Sequence, residues 1–565
     1  LVSCKNPSSE QSVGEGLSSN WFIDGEVVGI GAVSSRFAHR ANERSRIIPS
    51  TVQNAGDPKF PVFTQRSVLS PKDPRIADEP FSPMLEGCKF HGMPLIPFNS
   101  DHLSIAVEDL KNKILAKCKP QRSEVGILSR DDAISGFPMI PGYEHLEWNS
   151  SEGFPFTGMR PPNVHNKKWL FDFDEGGHYV SCHPLLTAVL DKKWNLRNQN
   201  IIPETVFTDC LKDCTVDTTK VLTPGKTRIF SISPVDFTIQ QRQCTLDFVS
   251  AYMVNRLDLE HAVGINPDSV EWQDLALKLT TVGDSILTGD YSKYGDTIPT
   301  EFIHAFFDVV CAWYSHYGEL TAEHEKQLRI MAHENGNSTH LMFNFLYKAI
   351  CGMPSGTSLT VILNSFSNSL YMRLAWLSIM QNTIFNSLSD LHTHVRWFSY
   401  GDDLIASLAD DVKDFFNAVT LCAFFGAHKL KFTNADKGDK ITPYTNLAHA
   451  DFLKRGFVPH PTRVVPQLFL APLGKASIED TINWVNKDSF GLDNPNCQNF
   501  IDMSLQVCED ALRNAFGRGP TYYEGFKSKL TIFWRDRGII FSTPTWSQMD
   551  QRVFDLGENI NPFFK

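Results

Sequence analysis

An α+β fold of several subdomains is what the sequence predicts, on three observations. The chain has 565 residues, 42% hydrophobic and 12% aromatic, enough for a large core and two or three subdomains. From about residue 100 onward, strand-like and helix-like apolar patterns mix without the βαβ rhythm of a parallel sheet. The stretch "VRWFSYGDDLIASLAD" (395–410) reads as strand, tight turn, strand, with Asp402 and Asp403 between two apolar runs. Burying those carboxylates bare would be costly, so the pattern asks what neutralises them.

In chain order, residues 1–100 are rich in Ser, Pro, Gly and Asn, with apolar islands such as "WFIDGEVVGIGAV". They predict loops and short strands folded against the next subdomain. "VLSPKDPRIADEPFSPMLEG" (68–87) predicts extended chain, because each Pro biases its predecessor away from helix. "TVGDSILTGDYSKYGD" (281–296) predicts a short buried strand over Ser285–Thr288 that ends in polar residues, Asp290 among them. In "IPTEFIHAFFDVVCAWYSHYG" (298–318), Phe302, Phe306, Val309, Val310 and Trp313 recur at helical spacing, with Pro299 near the start. "GTSLTVILNSFSNSLYMRLAWLSIM" (356–380) predicts a long helix after the turn "GMPSG". "DDVKDFFNAVTLCAFFG" (410–426) predicts an amphipathic helix closed by Gly426. Ile501, Leu505, Cys508 and Leu512 mark one further helical face.

The net charge is −11, which argues against a non-specific nucleic-acid coat but leaves room for a local basic channel. Twelve cysteines are scattered without a C-x-x-C pair, and Cys210 and Cys214 have no second pair at zinc spacing. Free thiols in a reducing compartment, with no zinc, are the expectation. No apolar run is long enough to span a membrane, and the N-terminus is no signal peptide. A first residue of Leu fits a fragment cut from a longer precursor.

Chemistry concentrates on the two acidic strand ends. Asp290 ends one strand, and Asp402 and Asp403 sit at a hairpin tip, so a partnership between them is spatial. Three clustered carboxylates repel unless divalent cations neutralise them, and hard oxygen ligands suit Mg²⁺ or Mn²⁺. Two such ions about 3.5–4 Å apart support in-line displacement at phosphorus. Gly401 lets the tip turn tightly. Taken alone, Gly-Asp-Asp reads as a solvated turn.

The neighbours decide. "SSEGFPF" (150–156), "LKDCTVDTTKVLTPGKTRIF" (211–230), "GDYSKYGD" (289–296), "GMPSGTSLTVILNS" (352–365), "SYGDD" (399–403), "KFTNADKG" (431–438) and "FLKR" (452–455) occur in one order. That ordered set resembles the RNA-dependent RNA polymerases of picorna-like positive-strand RNA viruses, and most of all those of iflaviruses such as the honeybee viruses. The matched motifs cover about 150–455; the first hundred residues and most of the last hundred carry none.

The resemblance implies a right-hand fold with closed fingertips and an antiparallel palm sheet. The corresponding division is an N-terminal region packing on the fingers (1–100), fingers (101–244), palm (245–325), a fingers insertion (326–352), palm again (353–457) and thumb (458–565). Asp290, Asp402 and Asp403 would hold the metals, with the backbone of Tyr291. Lys212, Lys220, Lys226 and Arg228 would face the NTP phosphates, Arg as a planar fork and Lys as a point charge. "PGKT" is no P-loop, because Lys220 stands five before Gly225 where Gly is required. The family's "KDELR" opening reads "KDCTV", so Val216 replaces an arginine.

Ser355, Thr360 and Asn364 would read the ribose 2′-OH. Their partner carboxylate is commonly five residues after the first aspartate, where this chain has Gly295; Asp296 follows one later. Either the backbone bulges at Gly295 or Asp296 points elsewhere. Lys437 would protonate the pyrophosphate leaving group. Lys454 and Arg455 would grip the primer strand, and Ser150, Gly153 and Pro155 would form a shelf beside the template.

The implied partners are template and primer RNA, NTPs, a small tyrosine-bearing protein primer and other viral replication proteins. The implied setting is the host-cell cytoplasm at membrane-associated replication complexes, after release from a polyprotein. Rival readings are a reverse transcriptase, which shares a Y-x-D-D hairpin, and an inactive RNA-binding scaffold. Two decoys fall short. Cys351 in "AICGMPSG" has no assignable His and acidic partner for a protease. His178, Cys182 and His183 lack a fourth zinc ligand.

Overall fold

The computed structural model describes residues 2–3, 26–41, 43–435, 440–487 and 498–560. Two sheets organise it. A four-stranded sheet runs in the order Val395–Tyr400, Asp403–Leu408, Ser285–Tyr291, Phe432–Thr433, all antiparallel. A six-stranded sheet runs Val2–Ser3, Val27–Val33, Phe345–Ala349, Thr339–Met342, Val206–Leu211, Ile229–Ile232. In it, Thr339–Met342 pairs parallel with Val206–Leu211.

The four-stranded sheet is buried on both faces. Leu287, Leu404, Ala406 and Trp397 join the largest core with the long helices Ser100–Lys117, Val235–Val254, Thr300–Tyr317 and Thr360–Ile379. Ile286, Phe398 and Ile405 face the other way, onto Trp272, Leu275 and Leu279 of the helix Val270–Leu279. Double burial explains why these strands read as continuous apolar runs. The helix Thr300–Tyr317 buries Phe302, Phe306, Val309, Val310 and Trp313, with Pro299 as its N-cap residue. Each such fully buried large side chain contributes roughly 1.5–3 kcal/mol.

Several expectations shift. The run 68–87 is not wholly extended: Pro74–Ile76 and Pro83–Cys88 are short helical turns. Pro stands at the first helical position of each, and the side chains of Asp73 and Ser82 cap them, so proline starts these turns. The helix expected from 410 begins at Ala418, because Asn417 caps it in a box with Thr420. It runs through Gly426 and ends at Ala427.

The N-terminal region does more than lie on the fingers. Val27–Val33 extends the six-stranded sheet, while Ile47–Pro49 pairs with Trp484–Asn486 near the other end of the chain. Val52 and Phe60 enter the second core, built by the helices Gln498–Ala515, Pro520–Arg535 and Trp546–Phe554. This region therefore straps the two ends together. Among the described residues, no helix is long and apolar enough to cross a membrane.

Candidate active site

Asp290 lies in the strand Ser285–Tyr291, whose Gly289 pairs with Leu404. One step further along that register, Asp290 comes beside Asp403, which itself pairs with Tyr400 across the hairpin. Asp290 and Asp403 are half-buried, and Asp402 is exposed at the tip. Gly401 takes φ +64°, the left-handed region in which a Cβ is costly. Three carboxylates from two strand ends thus converge. The set is all hard oxygen, which fits a divalent cation of the Mg²⁺ class better than zinc or copper.

The long helix Thr360–Ile379 holds this tip in place. The Gly401 N–H donates to Ser365 Oγ (2.9 Å), and Asn368 Nδ2 donates to the Gly401 carbonyl (3.0 Å). The Tyr291 hydroxyl reaches Asn368 Oδ1 at 3.5 Å. Burial, then Tyr371 and Asp402, push the Tyr291 phenol far up, so it stays a neutral donor. Ser365 and Asn368 were missed by the sequence reading. Their signal was polarity on a buried helix next to Asn364, shared with Ser367, Ser369 and Arg373.

The sugar-reading set is brought together in part. Ser355 Oγ accepts from the Ser231 N–H (3.1 Å). The Thr360 hydroxyl donates within its own turn, to the Thr357 carbonyl (3.0 Å), and meets the Thr357 hydroxyl at 3.2 Å. Asn364 lies under Gly401, and its Oδ1 is buried with no hydrogen-bond partner among the described residues. Such an orphan acceptor calls for a donor from a ligand or water. Asp296 sits in a single helical turn, Tyr294–Thr297, with its carboxylate 3.5 Å from His91 Nε2. Of the two alternatives left open by sequence, the side chain points toward the N-terminal region.

Gly356 passes the strand Ile229–Ile232 so closely that a Cβ would stand 1.9 Å from the Ser231 carbonyl oxygen. Gly356→Ala is therefore expected to cost roughly 1–3 kcal/mol by forcing the backbones apart. A thermal melt reads the loss, and an unchanged Tm would refute the close packing.

A channel of about 1670 Å³ opens beside the strand Ile229–Ile232, whose Phe230 and Ile232 line it. Arg36, Arg40, Arg46, Arg160, Lys212 and Lys454 line it against Asp213, Asp217 and Asp480, so its wall is basic although the chain is not. Arg36, Arg40 and Arg46 come from "RFAHRANERSR" (36–46), a basic run the sequence reading passed over. Gly153 and Pro155 line the channel. Ser150 does not: its neighbours Asn149 and Ser151 do, while its hydroxyl turns back to the Glu147 carbonyl (3.2 Å). Under this shelf Glu152 is fully buried and takes two bonds from Arg160 and one from Trp169.

Lys212, Lys220, Lys226 and Arg228 are all exposed. Beside Val216 the N-terminal strand Thr64–Arg66 pairs with Thr215–Asp217, which brings Arg66 opposite Thr215. Lys454 is exposed and faces the channel. Arg455 is not placed to grip RNA. It is 7% exposed, and its Nη1 is held by Asp268 (3.0 Å) and the Ala471 carbonyl (2.9 Å). The ion pair with buried Asp268 draws it inward. Lys437 falls outside the described residues.

The decoys resolve into structure. Cys351 donates to the Met93 carbonyl (3.3 Å), and burial, then Asp296, push its thiol up to about 12, far from a nucleophile. His183 caps the helix Pro184–Asn198, and Cys182 meets the Tyr179 hydroxyl (3.3 Å).

Comparison with known proteins follows the same lines. The family model "Viral RNA-dependent RNA polymerase" matches residues 54–533. The chain is 38% identical over 538 residues to the genome polyprotein of Deformed wing virus, an iflavirus, covering 94% of the chain and 18% of the polyprotein. It is 30% identical over 484 residues to the genome polyprotein of Rice tungro spherical virus (strain Vt6), covering 83% of the chain and 13% of the polyprotein. It thus spans under a fifth of the length of these relatives. The solved structure of "Sicinivirus 3Dpol RNA dependent RNA polymerase" superposes with a TM-score of 0.73 at 20% identity, covering 93% of this chain and 98% of that one. The fold is accordingly the right hand.

Proposed function

The chain belongs to the family of viral RNA-dependent RNA polymerases, and from that premise we propose that it copies RNA from an RNA template. In this reaction the primer 3′-hydroxyl attacks the α-phosphate of an NTP and pyrophosphate leaves. The observation that carries the reading is the trio Asp290, Asp402 and Asp403 gathered at neighbouring strand ends of one sheet, in a chain with a basic channel.

Asp290, Asp402 and Asp403, with the Tyr291 backbone, are the groups that would hold Mg²⁺, or Mn²⁺ in its place. When bound, such ions activate the attacking hydroxyl and offset charge on the leaving pyrophosphate. The rest falls to the chain itself. Gly401, Ser365 and Asn368 hold the carboxylates in register. Lys212, Lys220, Lys226 and Arg228 offset charge on the triphosphate. Ser355, Thr360 and Asn364 address the sugar. The arginine-rich channel, with Gly153, Pro155 and Lys454, binds RNA through its phosphates. Lys437 is assigned the role of general acid on its motif alone.

The division into fingers, palm and thumb at the boundaries given above belongs to the proposal, with residues 1–100 now read as a strap joining fingers and thumb. So do priming by a small protein with a tyrosine hydroxyl, work with other replication proteins, and residence in host-cell cytoplasm at membrane-associated complexes. Release from a polyprotein is supported by the relatives, which are polyproteins.

Primer extension on homopolymer RNA, with rNTPs beside dNTPs, tests the reading. Mg²⁺-dependent addition of rNMP with dNTP disfavoured is the expected result. A preference for dNTP would mean a reverse transcriptase. RNA binding without incorporation under any cation would mean a scaffold.

A further inference from the structure

We propose that Lys293 is a binding residue for a pyrophosphate group, carried in as the two terminal phosphates of an NTP and released as pyrophosphate. The inference rests on the polymerase reading and deepens it, by adding a cation that the fingertip stretch does not supply.

Lys293 follows the strand Ser285–Tyr291 and immediately precedes the turn Tyr294–Thr297. The stretch of chain from Asp290 to Lys293 spans at most about 10 Å, so this lysine stays close to the metal-holding carboxylates. Its backbone takes φ +56°, the left-handed region that glycine enters freely and a Cβ makes costly. Such strain persists only where the surroundings over-determine it, and it clusters at functional sites.

The surrounding contact is the Phe90 ring, whose centre lies 4.2 Å from the Lys293 ammonium. Phe90 comes just after the short helix Pro83–Cys88, whose Gly87 packs on Ile229 at the end of the fingertip stretch. An aromatic face holds an ammonium in place without neutralising it, which a carboxylate would do. Lys293 is half-buried and has no ion-pair partner among the described residues. Burial lowers its pKa; Asp296 opposes this, and Lys226 and Lys89 add to it. Lys89 is itself taken by Glu86 (2.9 Å), and the Asp296 carboxylate is turned to His91 (3.5 Å).

Further cations reach the same loop from two other segments. Lys226 comes from the fingertip stretch and is exposed. Lys431 comes from the neighbouring chain of the sheet: the Ser292 N–H donates to the Lys431 carbonyl (2.9 Å), one step beyond the pair Tyr291–Phe432. Tyr291 and Phe432 are buried in the core, so by alternation Ser292 and Lys431 share the face of Asp290, and both are exposed. Neither Lys226 nor Lys431 has an ion-pair partner among the described residues. Like charges brought together repel, and an anion of several charges relieves all of them at once. Pyrophosphate is the polyanion that this reaction brings beside Asp290, and each lysine offers it a charge-assisted bond.

The test uses two variants that the left-handed backbone tolerates. Lys293→Gly removes the ammonium and the conformational cost together; Lys293→Asn removes the charge and keeps a Cβ. Primer extension in Mg²⁺ gives KM for the NTP and the inhibition constant of inorganic pyrophosphate. Both variants are expected to raise each constant about tenfold, and Lys293→Arg to recover part of the loss. Weakening of one constant alone assigns the site to that source, substrate or product. Stabilisation by Mg²⁺ and affinity for RNA should match the parent's. Unchanged constants, loss of the Mg²⁺ stabilisation, or an effect confined to RNA affinity overturns the proposal. If the parent extends no primer, the polymerase reading fails separately. Calorimetric binding of inorganic pyrophosphate in Mg²⁺ to the parent and Lys293→Asn then decides, and equal affinities overturn the proposal.

Discussion

Asp402→Ala is expected to abolish nucleotide incorporation while the protein stays folded. Asp402 is exposed at a hairpin tip, where substitutions usually change stability by about 0.5 kcal/mol or less. The catalytic loss should be roughly 10³-fold or more, because charge at the reacting phosphate is then uncompensated in a site arranged for it. A second readout separates lost metal binding from lost folding. Added Mg²⁺ should raise the parent's Tm by linkage, about 2.7 kcal/mol of stabilisation at a hundred times Kd. The variant should show a much smaller shift. Equal primer extension by parent and variant would sink the assignment of this turn, and equal Mg²⁺ shifts would move the cation elsewhere.

Arg373→Met is expected to destabilise the fold by about 3–5 kcal/mol, the cost of removing one partner from a buried ion pair. Arg373 is 0% exposed on the long helix Thr360–Ile379. It gives two bonds to buried Glu260 (2.8 and 3.0 Å) and one to Asp109 (2.8 Å). Lys113 adds a further bond to Glu260 (2.6 Å). The Glu260 carbonyl in turn accepts from the Ser399 N–H (3.1 Å), so the network stands directly behind the strand that leads to Asp402. Activity should fall with stability for that reason.

The pH dependence of the deficit follows from Glu260. Burial alone would raise its carboxyl, but Arg373 and Lys113 hold it well below the ordinary 4.5. A carboxyl depressed in the fold gives stability that is full above its unfolded pKa and is lost as pH falls toward the folded one. The parent should therefore weaken progressively below about pH 4.5 from this group. In the variant Glu260 keeps Lys113 but loses its guanidinium, so protonating it relieves an under-compensated buried charge. The gap between the two proteins should narrow as pH drops, as denaturant titrations at pH 7 and pH 4 would read. A gap that widened instead would mean that Glu260 does not carry the pairing energy.

Much of the catalytic centre was legible because it is local. Strand periods, the Gly-Asp-Asp turn and the helix after "GMPSG" are each written within one short window, where apolar spacing and glycine decide the conformation. The ordered motifs then tied the windows to one family. Arg455 was misread because a basic residue in a motif shows its charge but not its direction, and Asp268, far away in sequence, draws it inside. Ser150 is exposed between Asn149 and Ser151, which line the channel, and its hydroxyl is taken by the Glu147 carbonyl, a partner its motif does not show. The helix expected at 410 starts late because the chain turns through 410–417 before Asn417 and Thr420 close a capping box, a reciprocal pairing that composition alone does not place.

By itself, then, the sequence determined the α+β class, the acidic turn, the helices that back it and the family to which they belong, since each depends on neighbours in the chain. Tertiary structure alone decided that Asp290 stands beside Asp403, that the first hundred residues strap the chain's two ends and line its channel, and that Lys293 meets the Phe90 ring. These are pairings across long stretches of chain, set by strand register and by the cost of leaving buried polar groups unpartnered. No local pattern encodes such a pairing, because each partner's segment is compatible with many neighbours until the core closes around it.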